Sequence, residues 1–190
     1  LMPFFRWIIS PLGAILWLMV VVAAAKLVIE RFDQVTNQAQ GILAPDNLFL
    51  MYVSLVVIKA IHEFGHAIIC RRFGGEVHTM GVMLLVFTPL PYMDATSSWS
   101  FRSRWQRALV GGAGMIAEIF VAALAVFLWA YTGQGTLHSL SYNIMFIASV
   151  STVLFNGNPL LRFDGYYILS DLLDIPNLYT RAVSHLRHIV

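Results

Sequence analysis

Residues 48–73 read LFLMYVSLVVIKAIHEFGHAIICRRF, a mostly apolar run that is long enough to cross a bilayer as an α-helix. On such a helix, residues four apart lie about 40° apart around the axis and about 6 Å apart along it. His62 and His66 can therefore reach one metal ion. Glu63 lies about 60° from His66, on the same side, so its carboxylate can take a proton from a water on that metal.

Zinc suits this pair of histidines. Neutral imidazole binds Zn²⁺ well, and a zinc site with an open position lowers the pKa of bound water to about 7. The alternative is a pair of buried histidines that bond to neighbouring helices. Lys59 and Cys70 extend the same face by one turn in each direction. We expect Lys59 to pair with a carboxylate or to snorkel, and Cys70 to be a packing residue.

The composition indicates an integral membrane protein. Hydrophobic residues make up 58% of the chain and charged residues only 12%. We expect one domain over residues 1–190, with a first span and outer link (1–47), a catalytic core (48–174) and a tail (175–190). Because the chain begins with Leu1, we expect a fragment of a longer protein. The net charge of +2 does not favour nucleic acid as a partner.

The hydropathy pattern predicts an all-α polytopic membrane protein, a bundle of about four to five transmembrane helices with a small membrane-entering β-hairpin. Residues 76–99 favour the hairpin because they are rich in Val, Met, Leu and Thr and contain Pro89 and Pro91. Polar links are expected at 30–47 and 132–141. The clear spans are residues 12–29, 48–73, 105–131 and 142–155.

A third ligand is needed, because a catalytic zinc site normally has three protein ligands and a water. The fourth span runs into Asn156-Gly157-Asn158-Pro159, where we expect the helix to break. Asp164 follows this break at about the depth of His66, and it is the best candidate. A plain Asp-Gly turn is the alternative explanation for Asp164. Weaker candidates for the same role are Asp94, Glu118, Asp171 and His78.

These motifs resemble a known family. HEFGH in one span, followed about a hundred residues later by NPLLRFDG at the end of another, is similar to the site-2 protease family of intramembrane zinc metalloproteases. That family pairs H-E-x-x-H with N-P-x-x-x-x-D-G. The segments GGAGMIAE and FNGNPLLRFDGYY most resemble its bacterial peptide zinc metalloprotease branch. The resemblance covers residues 53–174.

The resemblance implies roles for particular residues. His62, His66 and Asp164 would bind one zinc ion per chain, and Glu63 would be the general base and acid. The hairpin around residues 81–90, which begins at Gly81, would hold an unwound substrate as an added strand.

Two further positions carry implied contacts to substrate. Asn158 would lie near the substrate backbone. Many relatives carry G-P-x-x-N in the third core helix, where this chain has Glu118. Glu118 is therefore a candidate substrate contact, but alternatively it orients a histidine, pairs with Lys59 or Arg162, or shuttles protons.

The resulting hypothesis is an intramembrane zinc metalloendopeptidase that hydrolyses a peptide bond within the bilayer or at its edge. Its expected partners are the lipid bilayer, a peptide or membrane-protein substrate, and secretion or export proteins. Arginines cluster between the second and third spans, whereas residues 132–141 contain no Lys or Arg. This bias predicts that the active site lies nearer the cytoplasmic face, and the resemblance implies a multi-pass protein of the bacterial inner membrane.

Two other functions remain open from the sequence. One is a non-hydrolytic, zinc-containing membrane component of a peptide maturation or export complex, which would have no use for Glu63 beside the water. The other is a transporter in which Lys59, Glu63 and Glu118 form a proton relay.

Overall fold

The computed structural model describes residues 10–94 and 96–189. Helices dominate this part of the chain, and one antiparallel hairpin interrupts them. In chain order the elements are α1 (Pro11–Glu30), α2 (Phe32–Ala39), α3 (Leu48–Arg72), β1 (Met80–Leu85), β2 (Thr88–Met93), a 3₁₀ turn (Thr96–Ser100), α4 (Arg104–Tyr131), α5 (Thr136–Val150), a π-helical turn (Ser151–Asn156), α6 (Asp164–Leu173) and α7 (Leu178–Ile189).

Four helices within residues 10–94 and 96–189 are long and apolar enough to cross a membrane. They are α1, α3, α4 and the continuous unit of α5 with the π-helical turn. The prediction of a helical membrane bundle with a small hairpin is confirmed, and the chain is a multi-pass integral membrane protein. The shorter α6 and α7 are not among the spans.

Helix α4 lies at the centre of the bundle and packs against α1, α3, α5 and α6. Small side chains on α4 allow this close approach, as is common between membrane helices. The buried small residues of α4 are Ala108, Gly112, Ala113, Gly114, Ala122, Ala123 and Ala125.

Helix α1 begins where Pro11 occupies the first turn and the Ser10 side chain accepts a hydrogen bond from the Gly13 N–H. Most of its large apolar side chains are exposed, as expected for a helix that faces lipid. Two side chains connect this segment to α4: the Trp17 indole of α1 donates to the Ile116 carbonyl at 3.1 Å, and Arg31, which follows α1, donates to the Ala130 carbonyl at 2.6 Å.

Two of the predicted polar links are partly wrong. Residues 30–47 contain the helix α2, in which Val35 and Ala39, four residues apart, pack against the core. The link at 132–141 is shorter than predicted because α5 already begins at Thr136. The two segments also contact each other, because His138 of α5 lies 3.2 Å from Gln38 of α2.

The hairpin lies beside α3, with β2 packed along that helix. Leu84 pairs with Pro89 and Val82 with Pro91, so β1 and β2 form a two-stranded sheet in spite of the prolines. The Tyr52 hydroxyl of α3 donates to the Phe87 carbonyl at the turn, at 3.1 Å. The predicted hairpin is therefore confirmed.

Candidate metal site

Three potential metal ligands converge between α3 and the start of α6. His62 Nε2 and His66 Nε2 lie 3.0 Å apart. Asp164 Oδ2 lies 3.0 Å from His62 Nε2 and 3.5 Å from His66 Nε2. Both histidines are buried, and Asp164 is largely so. Among the described residues, these three form a group that could hold a metal ion.

The spacing of these atoms fits a tetrahedral zinc ion. Zn–N and Zn–O bonds of about 2.0–2.1 Å place neighbouring ligand atoms about 3.3 Å apart. The Oδ2 atom of Asp164 is buried and has no hydrogen-bond partner within residues 10–94 and 96–189. A buried oxygen of this kind needs compensation, which a cation between the three atoms supplies.

The second ring nitrogen of each histidine also has a partner. His66 Nδ1 lies 2.7 Å from the Val110 carbonyl oxygen of α4. His62 Nδ1 lies 3.1 Å from Glu118 Oε1, also on α4. A carbonyl or carboxylate at Nδ1 favours the tautomer with its proton there, which leaves Nε2 free to bind a metal.

Glu118 is fully buried, with 0% exposure. Besides His62, it accepts a hydrogen bond from Lys59 Nζ at 3.0 Å and one from the Thr152 hydroxyl at 2.6 Å. The ion pair with Lys59 and the contact with His62 match two of the alternatives for this residue. Arg162 is not its partner, since the Arg162 guanidinium lies 4.0 Å from the Tyr179 ring centroid.

Close packing of α3 on α4 brings His62 to Glu118. A Cβ atom on Gly114 would lie 2.5 Å from the His62 ring, and one on Gly65 would lie 2.7 Å from the Ala113 carbonyl oxygen. No side chain fits at either position without a shift of its neighbour. Gly65 of the HEFGH motif thus lets α3 approach α4.

Asp164 reaches the site because α6 begins there, just after the broken end of the fourth span. Gly165 makes this possible: a Cβ atom there would lie 2.8 Å from the Gly157 carbonyl oxygen. The other end of α6 is held by Arg107 of α4, which forms an ion pair with Asp171 at 2.9 Å and with Asp174 at 2.8 Å.

An aspartate side chain is normally ionised near neutral pH, as a zinc ligand must be. The pKa of Asp94 is lowered for a local reason, since its Oδ1 accepts a hydrogen bond from the Thr96 N–H at 2.9 Å. Asp94 therefore has its own local partner.

Glu63 is half-buried and follows His62 on α3. Within residues 10–94 and 96–189 it has no hydrogen-bond or ion-pair partner. This carboxylate therefore differs from Glu118, whose oxygens are occupied by donors. It is available for chemistry.

The weaker candidates for the third ligand all lie outside the group, and Glu118 contacts it only at His62 Nδ1. Asp171 pairs with Arg107, and His78 pairs with Glu76 at 3.1 Å in an exposed position. Asp94 is in its own local turn. Cys70 is fully buried and lies 3.4 Å from the Ser97 hydroxyl, which fits the expected packing role.

The two other predicted substrate contacts, Asn158 and Gly81, form no hydrogen bond with the histidines in the described part of the chain. Asn158 accepts a hydrogen bond from the Leu160 N–H at 2.9 Å, within its own turn. Gly81 lies in β1 opposite Tyr92. Contact of substrate with Gly81, Asn158 or Glu118 remains a prediction.

The sequence reasoning missed the polar residues of the π-helical turn. Asn156 Nδ2 lies 3.4 Å from His62 Nδ1 and 3.3 Å from Glu118 Oε2. Ser151 Oγ lies 3.5 Å from Glu118 Oε1. The available signal was a set of polar residues at the end of an apolar span, just before the expected break.

Comparison with known proteins gives two matches. The sequence model of peptidase family M50 matches residues 50–142, which include His62, Glu63, His66 and Glu118 but end before Asp164. An uncharacterized protein of Methanocaldococcus jannaschii is 27% identical over 112 residues, which cover 57% of this chain and 28% of that protein. The chain thus spans less than a third of the length of this relative. No solved structure matches the chain.

Proposed function

Because residues 50–142 match the sequence model of peptidase family M50, we propose that the chain is an intramembrane zinc metalloendopeptidase that hydrolyses a peptide bond within the bilayer or at its edge. The family implies a membrane metallopeptidase, and the four spans fit this assignment. Zinc as the metal, Glu63 as the base and endopeptidase action are the parts that we propose.

One observation carries the proposal. His62 Nε2, His66 Nε2 and Asp164 Oδ2 lie within 3.0 to 3.5 Å of one another, and Asp164 Oδ2 has no other partner in the part of the chain that the structure describes. Two imidazoles and one carboxylate form a ligand set typical of catalytic zinc, with a position left for water. We assign His62, His66 and Asp164 as the metal ligands.

A bound zinc ion would polarise the scissile carbonyl and make water a nucleophile near neutral pH. Glu63 accepts the proton of the attacking water and then returns it to the leaving amine. Its lack of a competing partner suits this role, because an ion-paired carboxylate is a weaker base. The Nδ1–H of His62 donates to Glu118 and the Nδ1–H of His66 donates to the Val110 carbonyl. Neither histidine therefore takes part in this proton transfer.

The substrate is proposed to be a peptide or a membrane protein. The hairpin beside α3 supports this choice, because an unwound segment can bind to a strand edge as an added strand, with Gly81 and Asn158 near its backbone. We keep secretion or export proteins as candidate partners. The proposed unit of function is one domain over residues 1–190, in a bacterial inner membrane, with the site nearer the cytoplasmic face.

The test is the Glu63→Gln variant, assayed for bound zinc and for cleavage of an unfolded or transmembrane peptide. We expect one zinc per chain in both proteins and a loss of cleavage of about 10²–10⁴-fold in the variant, because the general base is gone. Glu76→Gln is the matched control: this carboxylate is 69% exposed on the loop before β1, and its loss should leave cleavage unchanged.

The outcomes separate the competing functions. Absence of zinc from the wild type would overturn the proposal. Cleavage by Glu63→Gln at the wild-type rate would remove Glu63 from the mechanism. If both proteins bind zinc and neither cuts, the non-hydrolytic component of a maturation or export complex becomes the better explanation. Transport activity that survives removal of zinc by a chelator would favour the proton-relay transporter.

A further inference from the structure

We propose that Glu118 is a positioning residue, which fixes the orientation and tautomer of His62 so that Nε2 faces the metal. This inference rests on the proposed zinc site but goes beyond it, since Glu118 itself is not a ligand. Nor does Glu118 touch the reacting atoms. It acts on the metal only through the imidazole of His62.

The hydrogen bonds of Glu118 exclude a direct role. An ionised carboxylate has about four lone-pair sites. Five donors lie against the two oxygens: Lys59 at 3.0 Å, His62 at 3.1 Å and the Ser151 hydroxyl at 3.5 Å on Oε1, and Thr152 at 2.6 Å and Asn156 at 3.3 Å on Oε2. With both oxygens occupied and no exposed surface, Glu118 has no free site for a substrate or a metal ion.

The π-helical turn supplies part of this arrangement. Asn156 Nδ2 bonds to Ser151 Oγ at 3.3 Å, so residues five apart lie on one side of the helix. In an α-helix, five residues would place these side chains about 140° apart. The π-helical turn is wider, and the Gly157 N–H donates a hydrogen bond to the Thr152 carbonyl at 2.7 Å. This turn brings the Asn156 and Ser151 side chains next to Glu118. The π-helical turn thus helps to hold the Glu118 carboxylate in place.

Lys59 completes the arrangement by balancing charge. It lies one turn before Glu63 on α3 and binds both Glu118 and the Ser151 hydroxyl. A buried carboxylate without a cation is costly, so the Lys59–Glu118 pair keeps Glu118 ionised next to His62. An ionised acceptor holds the His62 Nδ1 proton more firmly than a neutral one, and it makes Nε2 a better ligand.

Zinc affinity tests this role without a need for cleavage. Purified metal-free protein is titrated with zinc in competition with a chromogenic chelator, for the wild type, Glu118→Gln and Glu118→Ala. We expect Glu118→Ala to lose about 10–100-fold in zinc affinity, the usual effect of removing the partner of a ligating histidine. Glu118→Gln should lose less, because its carbonyl can still accept the His62 proton.

Asn143→Ala is the matched control. Asn143 is 1% exposed and bonds to Asn47 at 2.8 Å, away from the histidines. Its loss should lower the melting temperature without changing zinc affinity. If Glu118→Gln and Glu118→Ala melt lower but bind zinc as Asn143→Ala does, Glu118 is only structural and the inference is wrong.

A second readout distinguishes this inference from the proposed protease activity. Loss of zinc affinity in the Glu118 variants supports the positioning role even if no peptide is cut by the wild type. If the wild type cuts peptide, kcat should fall in Glu118→Gln at saturating zinc, with KM little changed, because the carboxylate does not touch substrate. A change in KM alone would contradict the inference and indicate a substrate contact.

Discussion

At the scale of single residues, the site depends on the hydrogen-bond partner of the second ring nitrogen, Nδ1, in each histidine. Nδ1 of His62 faces a carboxylate and Nδ1 of His66 faces a carbonyl, so both rings present Nε2 to one point. Asp164 presents Oδ2 to the same point without a hydrogen bond from the described residues. Three lone pairs that face one another repel, and a cation between them removes the repulsion.

Asp164→Asn tests this at the same scale. Removing the hydrogen-bond partner of a ligating histidine typically lowers metal affinity by roughly 10–100-fold. We expect Asp164→Asn to lower zinc affinity by more than this, because a neutral amide replaces an anionic ligand. The measurement is zinc content after dialysis against a weak chelator.

Asp171→Asn is the control for this prediction, because it makes the same change in α6 at a residue that pairs with Arg107 instead. It should lower stability and keep zinc. Equal zinc retention in the two variants would show that Asp164 is not a ligand.

At the scale of elements, the contact between α3 and α4 decides whether the site can form. Gly114 lies against the His62 ring, whereas Gly112, half a helical turn away, lies against Ile168 of α6. The two glycines have similar sequence surroundings in GGAGM, but the space around each is different. Burial is also similar, so only the neighbouring element distinguishes them.

Gly114→Ala should therefore abolish cleavage and weaken zinc binding, because its Cβ atom would lie 2.5 Å from the His62 ring. Gly112→Ala places its Cβ atom at 3.6 Å from Ile168, an ordinary contact, and should gain up to about 1 kcal/mol of helix stability. Zinc affinity and melting temperature of both variants check this pair. A Gly114→Ala protein with wild-type zinc affinity would contradict the α3–α4 geometry.

At the scale of the whole molecule, the distribution of positive charge sets the orientation in the membrane. Arginines flank the segment between α3 and α4, and none lies between α4 and α5. His62 and His66 precede Arg71 by about 7–14 Å of helix, so the site should lie nearer the cytoplasmic face.

Labelling with a membrane-impermeant thiol reagent tests this orientation. Gln134→Cys, between α4 and α5, should react in intact right-side-out vesicles. Glu76→Cys, between α3 and α4, should react only after the vesicles are opened. The wild type gives the background, since its cysteine, Cys70, is fully buried. The reverse pattern would place the site at the outer face.

The sequence by itself determined the spans, the hairpin and the position of the HEFGH motif on one helix. These depend on local properties: the length of an apolar run, a period of 3.6 residues and the exclusion of helix by proline. The sequence also indicated Asp164, because a helix break at the end of a span is visible in Asn158-Pro159. The turn of the hairpin was less visible, since Val86 and Phe87 both have positive φ without a glycine.

Only the tertiary structure decided the surroundings of the histidines. Glu118 had several possible roles in the sequence, and its contacts with His62 and Lys59 appear only when α3 packs on α4. Asn156 contacts Glu118 only because a π-helical turn replaces an α-helical one. The contact between His138 of α5 and Gln38 of α2 likewise joins segments that are far apart in the sequence. Hydropathy and periodicity describe one segment at a time, and so they cannot predict which side chains meet across the bundle.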